Sequence, residues 1–331
     1  MNHGGNISAA RARFGEPNGG WIDLSTGINP IAFPFTRPDD TTWAQLPQAD
    51  AEQDLLAAAR AAYEVPKTTD IVAGPGTQLL IQLASRLRTP QRVGVVAPTY
   101  SEHAIAWRQE GSAIVPLHEP GDARAAGCRI IVVVNPNNPD GRTWAASQLA
   151  EIAAEVRGHG GLMVVDEAFA DVDPALSLAP LAGQPGILVL RSFGKFYGLA
   201  GLRLGFAIGA PSDIGRIRSW LGPWAVSGPA ITIATEALSD TAWANNARKR
   251  LATDTHQMQT RLRDAGFMIV GATPLFTLVA HANAQRAAVQ LAEHGILVRT
   301  FDDNETWLRF GLPASEAFPR VADALRSIDL S

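Results

Sequence analysis

Between residues 71 and 208 the chain repeats one pattern, a short β-branched run followed by a longer stretch with helical spacing. The runs are RVGVVAP (92–98), AIVPL (113–117), RIIVVVN (129–135), LMVVD (162–166), ILVLRS (187–192) and LGFAIG (204–209). They read as buried strands. After GPGT, Leu79, Leu80, Leu83 and Leu87 form the apolar stripe of a helix. Alternation of this kind predicts an α/β fold, with a mainly parallel sheet covered by helices on both faces. In such sheets ligands collect at the carboxyl ends of the strands.

Beyond about residue 222 the pattern changes. A long helical stretch runs from near Pro229 to Ala265, broken around Ser239, and strand-like runs follow at LFTLVAH (275–281), GILVRT (295–300) and TWLRFGL (306–312). The expected organisation is an N-terminal arm over residues 1–45, rich in Gly, Pro and Asn, that contributes to the active site and the small domain. A large domain follows over 46–222, then an interdomain helix and a small α+β domain over 223–331.

Composition narrows the class. A chain of 331 residues, 46% of them hydrophobic, can bury a core divided between two domains. Lys+Arg 28 against Asp+Glu 32 leaves a net charge of −4 with no block of like charge, which argues against nucleic acid or an acidic membrane surface as partner. Cys128 is the one cysteine, so no intramolecular disulfide forms, and the start MNHGGNISAARARFG lacks the apolar core of a secretory signal. A cytoplasmic location is expected. The longest apolar runs fall far short of the roughly 20 residues that cross a bilayer.

Three stretches carry chemistry. GPGT (74–77) precedes the leucine-striped helix, so unpaired backbone N–H groups and the positive end of a helix dipole meet there, either as an anion site or simply as a tight turn and cap. It lacks the Gly-Lys-Ser/Thr of a Walker loop and the third glycine of a dinucleotide fingerprint. Asp166 ends the strand LMVVD, where a carboxylate would be held rigidly beside a ligand and could keep a heterocyclic nitrogen protonated; a cap or structural role is the alternative. Glu167 reads as a structural partner. RSFGKFYGLAGLRLG (191–205) places Ser192, Lys195 and Arg203 among glycines at 194, 198, 201 and 205, a set suited to a phosphate and to an amine nucleophile.

In this order the three stretches resemble the fold-type I pyridoxal-phosphate enzymes of the class I/II aminotransferase group. The pattern S-x-x-K-x-x-x-x-x-G-x-R-x-G is met by Ser192, Lys195, Gly201, Arg203 and Gly205. NPNNPDG (135–141) is similar to the family's N-P-x-G turn, APTYSEH (97–103) to its stacking segment and WLRFGL to its C-terminal arginine strand. The resemblance implies pyridoxal 5'-phosphate as cofactor, with Lys195 attached to it and Asp166 at the pyridine nitrogen. Asn138 would meet the phenolic oxygen and Tyr100 would stack on the ring. Gly76, Thr77, Ser192 and Arg203 would hold the phosphate, and Arg309 would meet the substrate's α-carboxylate. A homodimer is implied as well. Two positions depart from the family's pattern: Phe169 stands where many relatives have Tyr, and Leu46 where a Tyr commonly reaches the partner subunit's phosphate.

HGGN (3–6) and DLSTGINP (23–30) narrow the resemblance to the L-threonine-O-3-phosphate decarboxylases of cobalamin synthesis. A phosphorylated amino acid as substrate needs cationic and donor groups beyond those on the cofactor, and His3, Asn29 and Arg299 are the candidates, Arg299 lying ten residues before Arg309. The remaining six histidines show no metal-ligand spacing and are expected to be surface or structural; no metal site is expected. Two rivals remain at this point: an aminotransferase acting on histidinol phosphate or a similar compound, and a pyridoxal-phosphate-binding regulator or scaffold without activity.

Overall fold

All six apolar runs of the large sheet form strands, and the central ones owe their place to burial on both faces, while the edge strand at 113–117 is half-exposed. The computed structural model describes residues 4–330. Numbered along the chain, the strands are β1 (Ile22–Asp23), β2 (Asp70–Gly74), β3 (Arg92–Val96), β4 (Ala113–Leu117), β5 (Ile130–Val134), β6 (Leu162–Asp166), β7 (Ile187–Ser192), β8 (Gly205–Gly209), β9 (Met268–Thr273), β10 (Phe276–Ala280), β11 (Ile296–Leu297), β12 (Arg299–Thr300) and β13 (Trp307–Gly311). Every residue of β5, β6, β7 and β8 is buried, which is why these strands read as continuous apolar runs.

The chain packs as two units. The larger comprises Phe33–Asn138 and Arg142–Ala244. Residues 33–45 and 223–244 therefore pack with the large sheet. Its seven strands run in the order β2-β8-β7-β6-β5-β3-β4, and β8 alone is antiparallel to its neighbours. The register aligns the strand ends: Val134 pairs with Asp166, Asp166 with Leu190, Ser192 with Gly205 and Gly205 with Gly74. The strand ends at one edge of the sheet thus carry Asp166 and Ser192, in pairing rows two residues apart. Helix Thr77–Ser85 packs Leu80, Ile81 and Leu83 against Val93, Val95, Ile130, Val132, Val164 and Leu188. Each such side chain contributes about 1.5–3 kcal/mol on burial. That packing holds the helix's N-terminus at the strand ends.

The smaller unit comprises residues 4–32, Pro139–Gly141 and 245–330. It holds an antiparallel sheet, β12-β13-β10-β9, and the short parallel pair β1-β11. The run GILVRT, expected as one strand, divides: Ile296–Leu297 pairs with Ile22–Asp23, and Arg299–Thr300 pairs with β13. The buried Val298 marks the change of sheet. Sequence reading does not anticipate β9, because MIVGAT is partly exposed and carries a glycine. Gly271 is there for a steric reason: a Cβ would come within 1.9 Å of the Asp140 carbonyl oxygen. The helical stretch divides near the expected break, into Gly228–Ser239 and Thr241–Asp264. Among the described residues no helix is long and apolar enough to cross a membrane.

Candidate active site

In the larger unit the predicted cofactor residues gather at the strand ends. Gly76 leads into helix Thr77–Ser85, Tyr100 into helix Ser101–Gln109, and Asn138 follows β5. Asp166 closes β6, Ser192 closes β7, and Lys195 lies in the single turn Phe193–Phe196 directly after it. Arg203 precedes β8. Two glycines bring the cationic and backbone donors together. Gly76 has φ +82, and a Cβ there would approach the Arg203 Nη2 to 2.8 Å; at Gly205 a Cβ would lie 2.8 Å from the Thr77 nitrogen. A guanidinium therefore closes over a helix N-terminus with Ser192 in register beside it, a donor set that fits a phosphate. Arg203 itself adopts a left-handed conformation, φ 52, a strained choice for a residue with a side chain.

A second set of contacts fits an aromatic ring with a protonated nitrogen. Asp166 is buried, its Oδ1 accepting the Ala168 N–H at 3.0 Å and its Oδ2 lying 2.8 Å from His103 Nε2. His103 is also buried, a structural rather than surface histidine, and its contact orients the Asp166 carboxylate. Its position three residues after Tyr100, in the helix that Tyr100 caps, is the signal that would have found it. The Tyr100 hydroxyl donates to Gln78 Oε1 at 3.2 Å, and Gln78 Nε2 donates to Glu102 Oε2 at 2.6 Å. His103 meets the Tyr100 ring edge-on, with centroids 6.3 Å apart. Lys195 Nζ lies 5.9 Å from the centroid of Phe169, at the outer edge of cation–π range, so the departure at 169 puts a ring face near the amine.

Behind this row lies a buried charged cluster. Strand alternation turns Glu167 away from Asp166 and Arg191 away from Ser192. Arg191 Nη1 donates to Glu167 Oε2 at 2.8 Å and its Nη2 to Asp171 Oδ1 at 2.6 Å, while Glu167 also accepts from Ser177 Oγ at 2.6 Å and the Leu178 N–H at 2.5 Å. Burial raises the Glu167 carboxyl above the ordinary range, and Arg191 opposes that shift. For Arg191 burial acts to lower the value, but Asp171 and Glu167 outweigh it and the guanidinium is held more firmly protonated. Glu167 is a structural partner in this cluster.

The smaller unit carries the substrate-binding candidates. Arg299 and Arg309 are directly opposed on β12 and β13. Arg309 is buried and its Nη2 donates to the Ser25 carbonyl at 3.0 Å. Burial first, and the neighbouring Arg299 second, pull its pKa down to about 10, so it is charged at neutral pH in a place that disfavours charge. Asn29 is buried in the same unit, its Oδ1 accepting the Ile31 N–H at 3.1 Å and Arg250 Nη2 at 2.9 Å. His3 lies outside the described residues. No group of three or more His, Cys, Asp or Glu side chains is placed to hold a metal ion among the described residues.

Residues 38–325 match the family model for aminotransferase class I and II. The chain is 42% identical to a threonine-phosphate decarboxylase of Sinorhizobium sp over 333 aligned positions, covering 99% of this chain and 98% of the relative. It is 39% identical to a threonine-phosphate decarboxylase of Pseudomonas aeruginosa, covering 96% and 94%. Among solved structures, the histidinol-phosphate aminotransferase of Clostridium acetobutylicum superposes with a TM-score of 0.81 at 20% identity, covering 92% of this chain and 98% of that one. That likeness is one of fold.

Proposed function

The chain belongs to the class I and II aminotransferase family, and on that premise we propose that it is a pyridoxal-phosphate-dependent carboxy-lyase. Its substrate is L-threonine O-3-phosphate and its product (R)-1-amino-2-propanol O-2-phosphate, a step of cobalamin synthesis. The observation that carries this reading is the match, over 99% of the chain at 42% identity, to a relative of that name. The cradle at Gly76, Thr77, Ser192 and Arg203, with Asp166 at a strand end and Tyr100 at a helix start of the same unit, fits the cofactor. When bound, pyridoxal phosphate supplies the electron sink for the pair released at the substrate's Cα.

The chain's own groups then divide the work. Asp166, oriented by His103, would hold a proton on the ring nitrogen, Asn138 would donate to the phenolic oxygen, and Tyr100, held by Gln78, would pack against the ring. Lys195 Nζ would hold the cofactor and, itself or through a water, would supply the proton that replaces the lost carboxylate at Cα. Arg309 receives the α-carboxylate, and His3, Asn29 and Arg299 receive the substrate phosphate. Fixing the remote phosphate would orient Cα so that binding energy at a distance favours loss of the carboxylate over loss of the hydrogen.

The same proposal makes the enzyme a cytoplasmic homodimer. The lone Cys128 supports a reducing compartment, and an apolar group on the larger unit supports self-association. Trp43, Leu46 and Trp224 are 60%, 59% and 58% exposed. The backbone near Trp43 approaches the start of helix Gly228–Ser239, where a Cβ at Gly228 would lie 2.5 Å from the Thr42 carbonyl oxygen.

Trapping CO₂ from threonine phosphate tests the reading. Stoichiometric CO₂ with aminopropanol phosphate is expected, and loss of turnover in Lys195→Ala. Conversion that needs 2-oxoglutarate and releases no CO₂ would make the protein an aminotransferase; binding of the cofactor without either conversion would make it a regulator.

A further inference from the structure

Asp23 and Ser25 in DLSTGINP and the two glycines of HGGN carry none of the catalytic or binding roles proposed for the site, yet they meet. Asp23 Oδ1 accepts the Ser25 N–H at 2.8 Å and the Ser25 hydroxyl at 2.5 Å. A hydroxyl has a single proton, so Ser25 Oγ, having given it to a carboxylate, faces its other neighbours as an acceptor. The Gly5 N–H donates to it at 2.7 Å. Gly4 lies against the same residue, where a Cβ would overlap the Ser25 carbonyl oxygen, and Gly5 has φ +87, a left-handed conformation that favours glycine. Asn6 then caps helix Ile7–Phe14, its Oδ1 accepting the Ala9 N–H at 3.0 Å. Each of the three serves to dock the arm.

Ser25 is 2% exposed, and its segment is tied to the small unit's strands: the Leu24 N–H donates to the Leu297 carbonyl at 2.8 Å and the Gly311 N–H to the Leu24 carbonyl at 2.6 Å. The Ser25 carbonyl oxygen accepts Arg309 Nη2 at 3.0 Å. One buried residue therefore holds the arm through its hydroxyl and the guanidinium through its carbonyl. Asp23 acts on both, since it takes the hydroxyl proton and its charge favours the protonated form of Arg309. All of these residues lie in the smaller unit.

We infer that Ser25 is a positioning residue for substrate binding: it fixes the HGGN arm relative to Arg309, and with it the separation between the groups that receive the two ends of a phosphorylated amino acid. The inference deepens the proposed function and rests on the roles given there to the arm and to Arg309. A ligand with only the carboxylate end does not need the arm; one with both ends does. The two contacts of Ser25 come apart by substitution, because Ser25→Ala removes the hydroxyl and keeps the carbonyl, whereas Gly4→Ala presses on the carbonyl itself.

The test compares the parent, Ser25→Ala and Gly4→Ala as holoenzymes. Hydrogen exchange is followed in the N-terminal peptide that contains Gly5, KM and kcat are measured for threonine phosphate, and L-threonine, which has the carboxylate and lacks the phosphate, is the competitive inhibitor. Ser25→Ala is expected to speed exchange at Gly5 and to raise KM by about tenfold each, the order of one hydrogen bond, while kcat falls much less. The L-threonine inhibition constant should stay within about twofold of the parent's. Gly4→Ala should raise KM and the L-threonine constant together, and it tests the arm if Ser25→Ala does not fold. Unchanged KM in Ser25→Ala, with or without faster exchange, overturns the inference, and so does an equal weakening of L-threonine. A parent that releases no CO₂ from threonine phosphate fails the decarboxylase reading, and the inference is then decided by exchange and by the Kd values of the two ligands.

Discussion

Arg309 shows what a binding residue costs the fold that carries it. Its pKa, pulled to about 10 by burial and by Arg299, corresponds to about 3 kcal/mol of destabilisation at neutral pH. The folded chain sheds this proton near pH 10 while the unfolded chain keeps it to higher pH, so the penalty is full at neutral pH and is relieved as pH rises through about 10. Arg309→Met is therefore expected to melt no lower than the parent at pH 7, although truncating a buried side chain ordinarily lowers Tm, and to raise KM for threonine phosphate at least a hundredfold, the order expected when a buried charge pair loses its partner. The Tm difference should shift in the parent's favour as pH is raised through about 10. A Tm loss of several degrees at pH 7 would show that the guanidinium is stabilising instead. Residues of this kind were legible in the sequence because their spacing along the chain is itself the pattern, as in Ser192, Lys195 and Arg203. His103 was legible only through its spacing of three residues from Tyr100; its partner Asp166, 63 positions away and 2.8 Å from it, was not.

At the scale of elements, the clamp between β6 and β7 decides how rigidly Asp166 and Ser192 are presented. Arg191 joins β7 to Glu167 and to the 3₁₀ turn Ala170–Val172, so the two strand ends and the loop between them move as one piece. Arg191→Met leaves Glu167 and Asp171 buried without their cation. A loss of about 3–5 kcal/mol in urea denaturation is expected, with a weaker hold on pyridoxal phosphate in equilibrium dialysis. The triple change Arg191→Met, Glu167→Gln, Asp171→Asn should recover part of the stability, since no buried charge is left unpaired. Equal losses in both would sink the electrostatic account. The strands themselves were readable from their β-branched runs, since burial on both faces leaves one composition. β9 and the division of GILVRT were not, because partly exposed and two-residue strands are chosen by the partners they meet.

At the scale of the whole molecule, Trp43, Leu46 and Trp224 are large apolar side chains that stay 60%, 59% and 58% exposed, which supports the proposed self-association. Sedimentation is expected to show a dimer at micromolar concentration, and Trp43→Ser with Leu46→Ser to shift it toward monomer; a parent that sediments as a monomer would overturn the proposed homodimer. Leu46 takes on added meaning here, since the residue that departs from the family's pattern is also among the most exposed apolar side chains. By itself, the sequence determined the α/β class, the strand run from 92 to 209 and the set of groups around Lys195, because each depends on local periodicity or on spacing within one loop. Only the tertiary structure decided that Gly76 and Gly205 admit Arg203 to a helix N-terminus, that His103 orients Asp166, that Arg191 clamps two strands and that Arg250 reaches Asn29 across 221 positions. Those pairings depend on how close two distant stretches come in space, and hydrogen bonds and steric exclusion act only at that range.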